Sequence, residues 1–189
     1  MGDRVLEAGW AEKILRFWFT ELTPDDWYSK TPEPVDRMIR ERFLAIHEAI
    51  AESPPREAWM APDAALAAII ALDQFPRNMF RGTARAFATD AEALMLARHA
   101  VERGFDAAAG PERRPFFYMP LEHSENPADQ ERAVKLFVAL DDPEALRYAV
   151  EHRDIIARFG RFPHRNQVLG RESTEAEHTF LGTHKGFGQ

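Results

Sequence analysis

Residues 160–166 read GRFPHRN, a stretch that packs Arg161, His164, Arg165 and Asn166 around Phe162 and Pro163. A solvated turn has no use for that set. Guanidinium groups offer a fork of donors suited to carboxylate or phosphate, and imidazole exchanges protons near neutral pH. Asp73, Arg77 and Asn78 bring similar chemistry in LDQFPRN. His123 and Glu125 stand shortly before Gln130, and His152 lies further on. Together these residues point to a site for a small anionic or polar molecule. Asp73, Arg77, Asn78, Gln130, Arg161, Arg165 and Asn166 are the candidate binding residues. His123, His152, His164 and Glu125 are the candidate catalytic residues, as acids and bases.

Other chemistries find less support. Ser124 adjoins His123, but no G-x-S-x-G elbow surrounds it. No H-E-x-x-H pair marks a helix-borne metal site. His123-x-Glu125 matches the H-x-E of zinc deaminases, yet the chain has no cysteine to complete that ligand set. Neither a metal nor another cofactor is therefore expected. The absence of cysteine also removes disulfides and thiol nucleophiles and suits the cytoplasm. A net charge of −7, from 24 basic and 31 acidic residues, disfavours nucleic acid as a partner. No apolar window approaches the ~20 residues of a membrane span. The opening MGDRVLEAGW carries charge where an export signal would be apolar. Two alternatives to a small-molecule site stay open: a helical surface that binds a peptide, and a polar network that only fixes packing. Whether the chain is an enzyme and what its oligomeric state is are left open.

These residues must be positioned by helices. Residues 4–19 place Trp10, Ile14, Phe17 and Trp18 on one face, and 35–51 do the same with Ile39, Phe43, Ile46 and Ile50. Thr23-Pro24 and Ser53-Pro54 open short turns, and Asp63 to about Asp73 reads as an alanine-rich helix. Thr89-Asp-Ala-Glu92 and Thr174-Glu-Ala-Glu177 have the spacing of capping boxes. Asn126-Pro127 and Asp142-Pro143 open two further helices. No alternating β-branched run appears. The expectation is a single all-α domain over 1–189, built from about eight to ten helices in antiparallel hairpins.

On these helices some polar residues face inward. Asp73 shares a face with Leu66, Ile69 and Ile70; Gln130 with Ala133, Val134 and Phe137; His152 with Ala149 and Ile156. An unpaired buried carboxylate is costly, so Asp73 calls for a cation, an arginine of one of the two Phe-Pro segments, with Arg165 the first choice. IIALDQFPRNMFRG (69–82) and IIARFGRFPHRNQVLG (155–170) echo each other, which predicts two Phe-Pro turns lying close in space. His123, Gln130, His152 and Arg165 are expected to line one cavity.

LDQFPRNMFRGT with FATD, then MPLEHSENPADQ, then HRDIIARFGRFPHRNQVLGRESTEAEHTFL, resemble the bacterial "domain of unknown function 924" family from about Ile14 to Leu181. The resemblance implies a tetratricopeptide-like stack of helical hairpins and brings no activity with it. Leu121-Glu122 stands where a more apolar pair is common in that family.

Overall fold

The computed structural model describes residues 6–27, 31–184 and 186. Nine α-helices and no strand occur among them. They are α1 (Trp10–Arg16), α2 (Pro24–Trp27), α3 (Glu33–Glu52), α4 (Pro62–Met79), α5 (Asp90–Glu102), α6 (Pro115–Glu122), α7 (Pro127–Val138), α8 (Pro143–Phe159) and α9 (Glu175–Leu181). The first part of the helix expected over 4–19 lies outside the described residues. Its far end widens into a π-helical turn, Phe17–Glu21.

Most starts are where the capping residues place them. The Thr23 backbone N–H and hydroxyl both donate to Asp26. Asn126 accepts from Ala128 N, and Asp142 accepts from the amides of Glu144 and Ala145. Thr174 and Glu177 close a complete capping box. Gly160 ends α8 at φ 70°, a left-handed conformation that favours glycine, and it releases the chain into the Phe162-Pro163 turn. The α6 helix was not anticipated, because its two prolines and aromatic run carry little amphipathic signal.

The α4 helix organises the molecule. Its residues 64–73 are buried on every side, and it packs against α1, α3, α5 and α6. Alanine makes this approach possible, since five of those ten residues are Ala and keep neighbouring backbones close. Later helices pack in succession, α5 on α6, α6 on α7, and α7 on α8.

The first expected Phe-Pro turn is not a turn. The α4 helix continues through Phe75 and Pro76 to Met79. Phe75 is fully buried against Phe17, Phe43 and Trp18, and leaving the helix at Asp73 would forfeit that packing. Proline in a helix interior removes the bond to the carbonyl four residues back, here Leu72. The Thr89 hydroxyl donates to Leu72 O at 2.6 Å and takes the place of the missing N–H. This is why Thr89 does not cap α5 through its side chain, as its sequence context suggested.

Thr89→Val should therefore lower stability by about 1–3 kcal/mol, the cost of stranding a buried carbonyl. For a chain of this size that is roughly 2–4 °C in Tm per kcal/mol. In the Thr89→Val background, Pro76→Ala restores an N–H for Leu72 and should recover part of the loss. Thermal denaturation of the three proteins checks this; an unchanged Tm for Thr89→Val would contradict it.

Candidate functional site

Asp73 lies near the middle of α4 rather than at its end, with 1% of its surface exposed. Its Oδ1 meets His123 Nδ1 at 2.8 Å and Arg77 at 3.7 Å, while Gln74 donates to Oδ2 at 2.6 Å. Burial pushes the Asp73 carboxyl up. The charges of His123 and Arg77, with hydrogen bonds from His123 and Gln74, outweigh it and hold the group well below the usual carboxylate range. The expected direct pair with Arg165 is not formed. An α-helical neighbour four residues on and a histidine at the end of α6 reach Asp73 first.

Arg165 turns instead to Asp90, at the N-terminus of α5, with NH1 at 3.3 Å from Oδ2. Arg77 holds both oxygens of the same carboxylate, NH2 to Oδ2 at 2.9 Å and NH1 to Oδ1. The two Phe-Pro segments thus do meet in space, through their arginines. The Arg165 guanidinium lies 4.5 Å from the centre of the Phe162 ring and 4.6 Å from that of Phe87. Its Nε is buried without a hydrogen-bond partner among the described residues, as is that of Arg77. Burial and the neighbouring Arg77 charge push the Arg165 pKa down to about 10.

A second histidine pair stands beside the first. His152 Nδ1 is 2.9 Å from Glu122 Oε1 and 2.8 Å from Tyr148 O. Both are acceptors, so Nδ1 carries the proton. The His123 and His152 rings lie 6.2 Å apart, and His152 is edge-on to Phe162 at 5.5 Å. Contacts therefore run in a closed circuit: Asp73, His123, His152, Phe162, Arg165, Asp90, Arg77 and back to Asp73. Helices α4, α5, α6 and α8 and the 162–165 turn each contribute to it.

Other candidates serve the frame around this centre. Glu125 accepts from Phe162 N at 2.8 Å and from both terminal nitrogens of Arg171, and Arg171 also donates to Phe162 O. That ion pair grips both backbone polar groups of Phe162. Arg161 is drawn away to Glu177 of the α9 capping box. Asn166 donates to Ser173, and Asn78 with Arg81 holds Asp36. Gln130 donates to the carbonyls of Glu122 and Ser124, fixing the α6–α7 junction, and its buried Oε1 has no partner among the described residues.

While Gln130 stands at the α6–α7 junction, His123, His152 and Arg165, expected with it around one cavity, belong to the contact circuit. A groove of about 600 Å³ opens beside it, lined by Pro163, His164, Gln167, Arg171, Ser173, His178, Leu181, His184 and Gly186. Among the candidates only His164 is on its wall. Burial, helped by the Arg165 charge, pushes the His164 pKa down to about 3. Asp90, Glu122 and Arg171 were missed in sequence. Asp90 reads as an ordinary first-turn acid and Arg171 as a surface residue. The acidic residue at position 122, where an apolar one is common, was the one available signal. His47, which the sequence does not single out, is buried with its Nδ1 2.9 Å from Ala71 O.

No metal-binding group of three or more His, Cys, Asp or Glu is present among the described residues. No described helix is long and apolar enough to cross a membrane. No curated protein matches the chain. A solved structure of a protein of unknown function from Agrobacterium tumefaciens is similar to it, with 42% identity over 92% of this chain and 97% of that one, at a TM-score of 0.87. The family model described as "Bacterial protein of unknown function (DUF924)" matches residues 14–185, which include every member of the contact circuit, and the chain belongs to that family.

Proposed function

We propose that this protein binds a small anionic molecule at Arg165 and moves a proton to or from it through His123. The observation that carries the reading is the state of Arg165. It is 5% exposed, yet its one hydrogen bond among the described residues is the long contact to Asp90. A guanidinium has five N–H donors, and here the Nε–H is buried without a partner among the described residues, which is costly. A bound anion would satisfy them. The groove along Pro163 and His164 gives an approach from solvent to the turn that carries Arg165.

His123 has the arrangement of a general base. Its Nδ1–H is given to Asp73, which orients the ring and leaves the lone pair on Nε2. Asp73 then stabilises the imidazolium that forms when Nε2 takes a proton. His152, with Glu122, is a second acid–base pair beside it. The Ser124 hydroxyl donates to Asp129, so this reading gives it no role as a nucleophile.

Polar groups that converge at one centre favour a compact ligand over an extended peptide. We read the successive helix pairs as the tetratricopeptide-like stack implied by the family resemblance, closed around α4, and the cysteine-free chain as cytoplasmic.

Arg165→Met keeps the bulk against Phe87 and Phe162 but removes the donors. It should abolish thermal protection by small carboxylates or phosphate esters and shift the unliganded Tm by no more than roughly 2 °C, since one long hydrogen bond contributes little. A fall of many degrees, with no anion protecting the native protein, would assign the network to packing alone.

Acid should destabilise the fold through His164. Its ordinary value of 6.5 falls to about 3 in the folded chain, so between those values the unfolded chain holds the extra proton. The contribution is complete above about pH 6.5 and is lost as pH falls toward 3. Its slope approaches about 1.4 kcal/mol per pH unit at most. Depressed Asp73 acts in the same direction at lower pH, losing its contribution as pH falls through its folded value. Urea unfolding at several pH values should show a shallower slope for His164→Gln; an identical slope would contradict the assignment.

A further inference from the structure

We infer that the ligand at Arg165 is a monoanion, a small monocarboxylate, and that Asp90 sets this preference. The inference rests on the function proposed above and adds the charge and shape of what is bound.

Charge decides the class. Four carboxylates belong to the centre and its immediate frame: Asp73, Asp90, Glu122 and Glu125. Three guanidiniums oppose them: Arg77, Arg165 and Arg171. With both imidazoles of His123 and His152 neutral the sum is −1, and with both protonated it is +1. His164 adds nothing near neutral pH. One negative charge is thus the most that the buried centre can neutralise. A dianion would leave an uncompensated charge among groups already withdrawn from water, which is strongly unfavourable.

Geometry narrows it further. The rings of Phe87 and Phe162 cover the Arg165 guanidinium, so an acceptor meets it along an edge, where a planar carboxylate fits. Asp90 makes that contact weakly, at 3.3 Å from Arg165, while Arg77 holds both its oxygens. An incoming carboxylate can therefore take the Arg165 donors while Asp90 stays on Arg77. Asp90 remains as a fixed negative neighbour that the ligand must tolerate, and a second ligand charge would meet it directly.

Isothermal titration of the full chain with acetate and benzoate as monoanions, and malonate and sulfate as dianions, tests this at constant ionic strength. The native protein should bind the monoanions at least tenfold more tightly. Asp90→Asn should let the dianions bind as tightly as the monoanions, and Arg165→Met should bind neither. The native protein alone suffices should Asp90→Asn fail to fold. Equal or tighter binding of sulfate or malonate, lost in Arg165→Met, would overturn the charge rule and leave the anion site standing. Binding of neither class by the native protein would overturn both.

Discussion

The buried carboxylate of Asp73 is the constraint on which the rest of the centre depends. A charge 1% exposed on an all-round buried helix persists only if other groups are brought to it. Gln74 and Arg77 come from the same helix and cost the fold nothing extra in topology. His123 must come from the end of α6, fifty residues away, which ties the α6–α7 junction to the middle of the molecule. Gln130 then locks that junction from α7. The demand of one carboxylate thus sets where three helices meet.

Arg77 links this demand to a second one. It touches Asp73 and holds Asp90, and Asp90 in turn reaches Arg165. The 162–165 turn is held in place by means independent of the centre: Gly160 aims it, the Glu125–Arg171 pair grips Phe162, and Arg161 is anchored by Glu177. A rigid turn therefore offers an under-satisfied arginine in the same contact circuit as an oriented histidine. Folding alone would be served as well by apolar residues at these positions, and this contrast is what gives the centre its functional reading.

The helical class and most helix starts were legible in the chain, because caps and prolines act locally. Thr23, Asn126, Asp142 and Thr174 each bond within three residues of themselves. The extension of α4 through Pro76 was not legible. It depends on Phe75 packing against the π-helical turn after α1 and against α3, and on Thr89 reaching Leu72, neither of which is a local signal. The inward direction of Asp73, Gln130 and His152 could be read from helical spacing. Which cation Asp73 meets could not, since tertiary placement let His123 and Arg77 come closer than Arg165. Asp90 and Arg171 escaped notice for the same reason: their partners lie 9 to 75 positions away.

The central claim is that Asp73 fixes the ring of His123 with the proton on Nδ1 and leaves Nε2 as the basic atom. Long-range proton–nitrogen correlation NMR reads this directly, by distinguishing the two ring nitrogens of each histidine at neutral pH. The account predicts a protonated Nδ1 and a bare Nε2 for His123 in the native protein, with that bias lost in Asp73→Asn. A native His123 protonated on Nε2, or the tautomer mixture of a free imidazole, would contradict it.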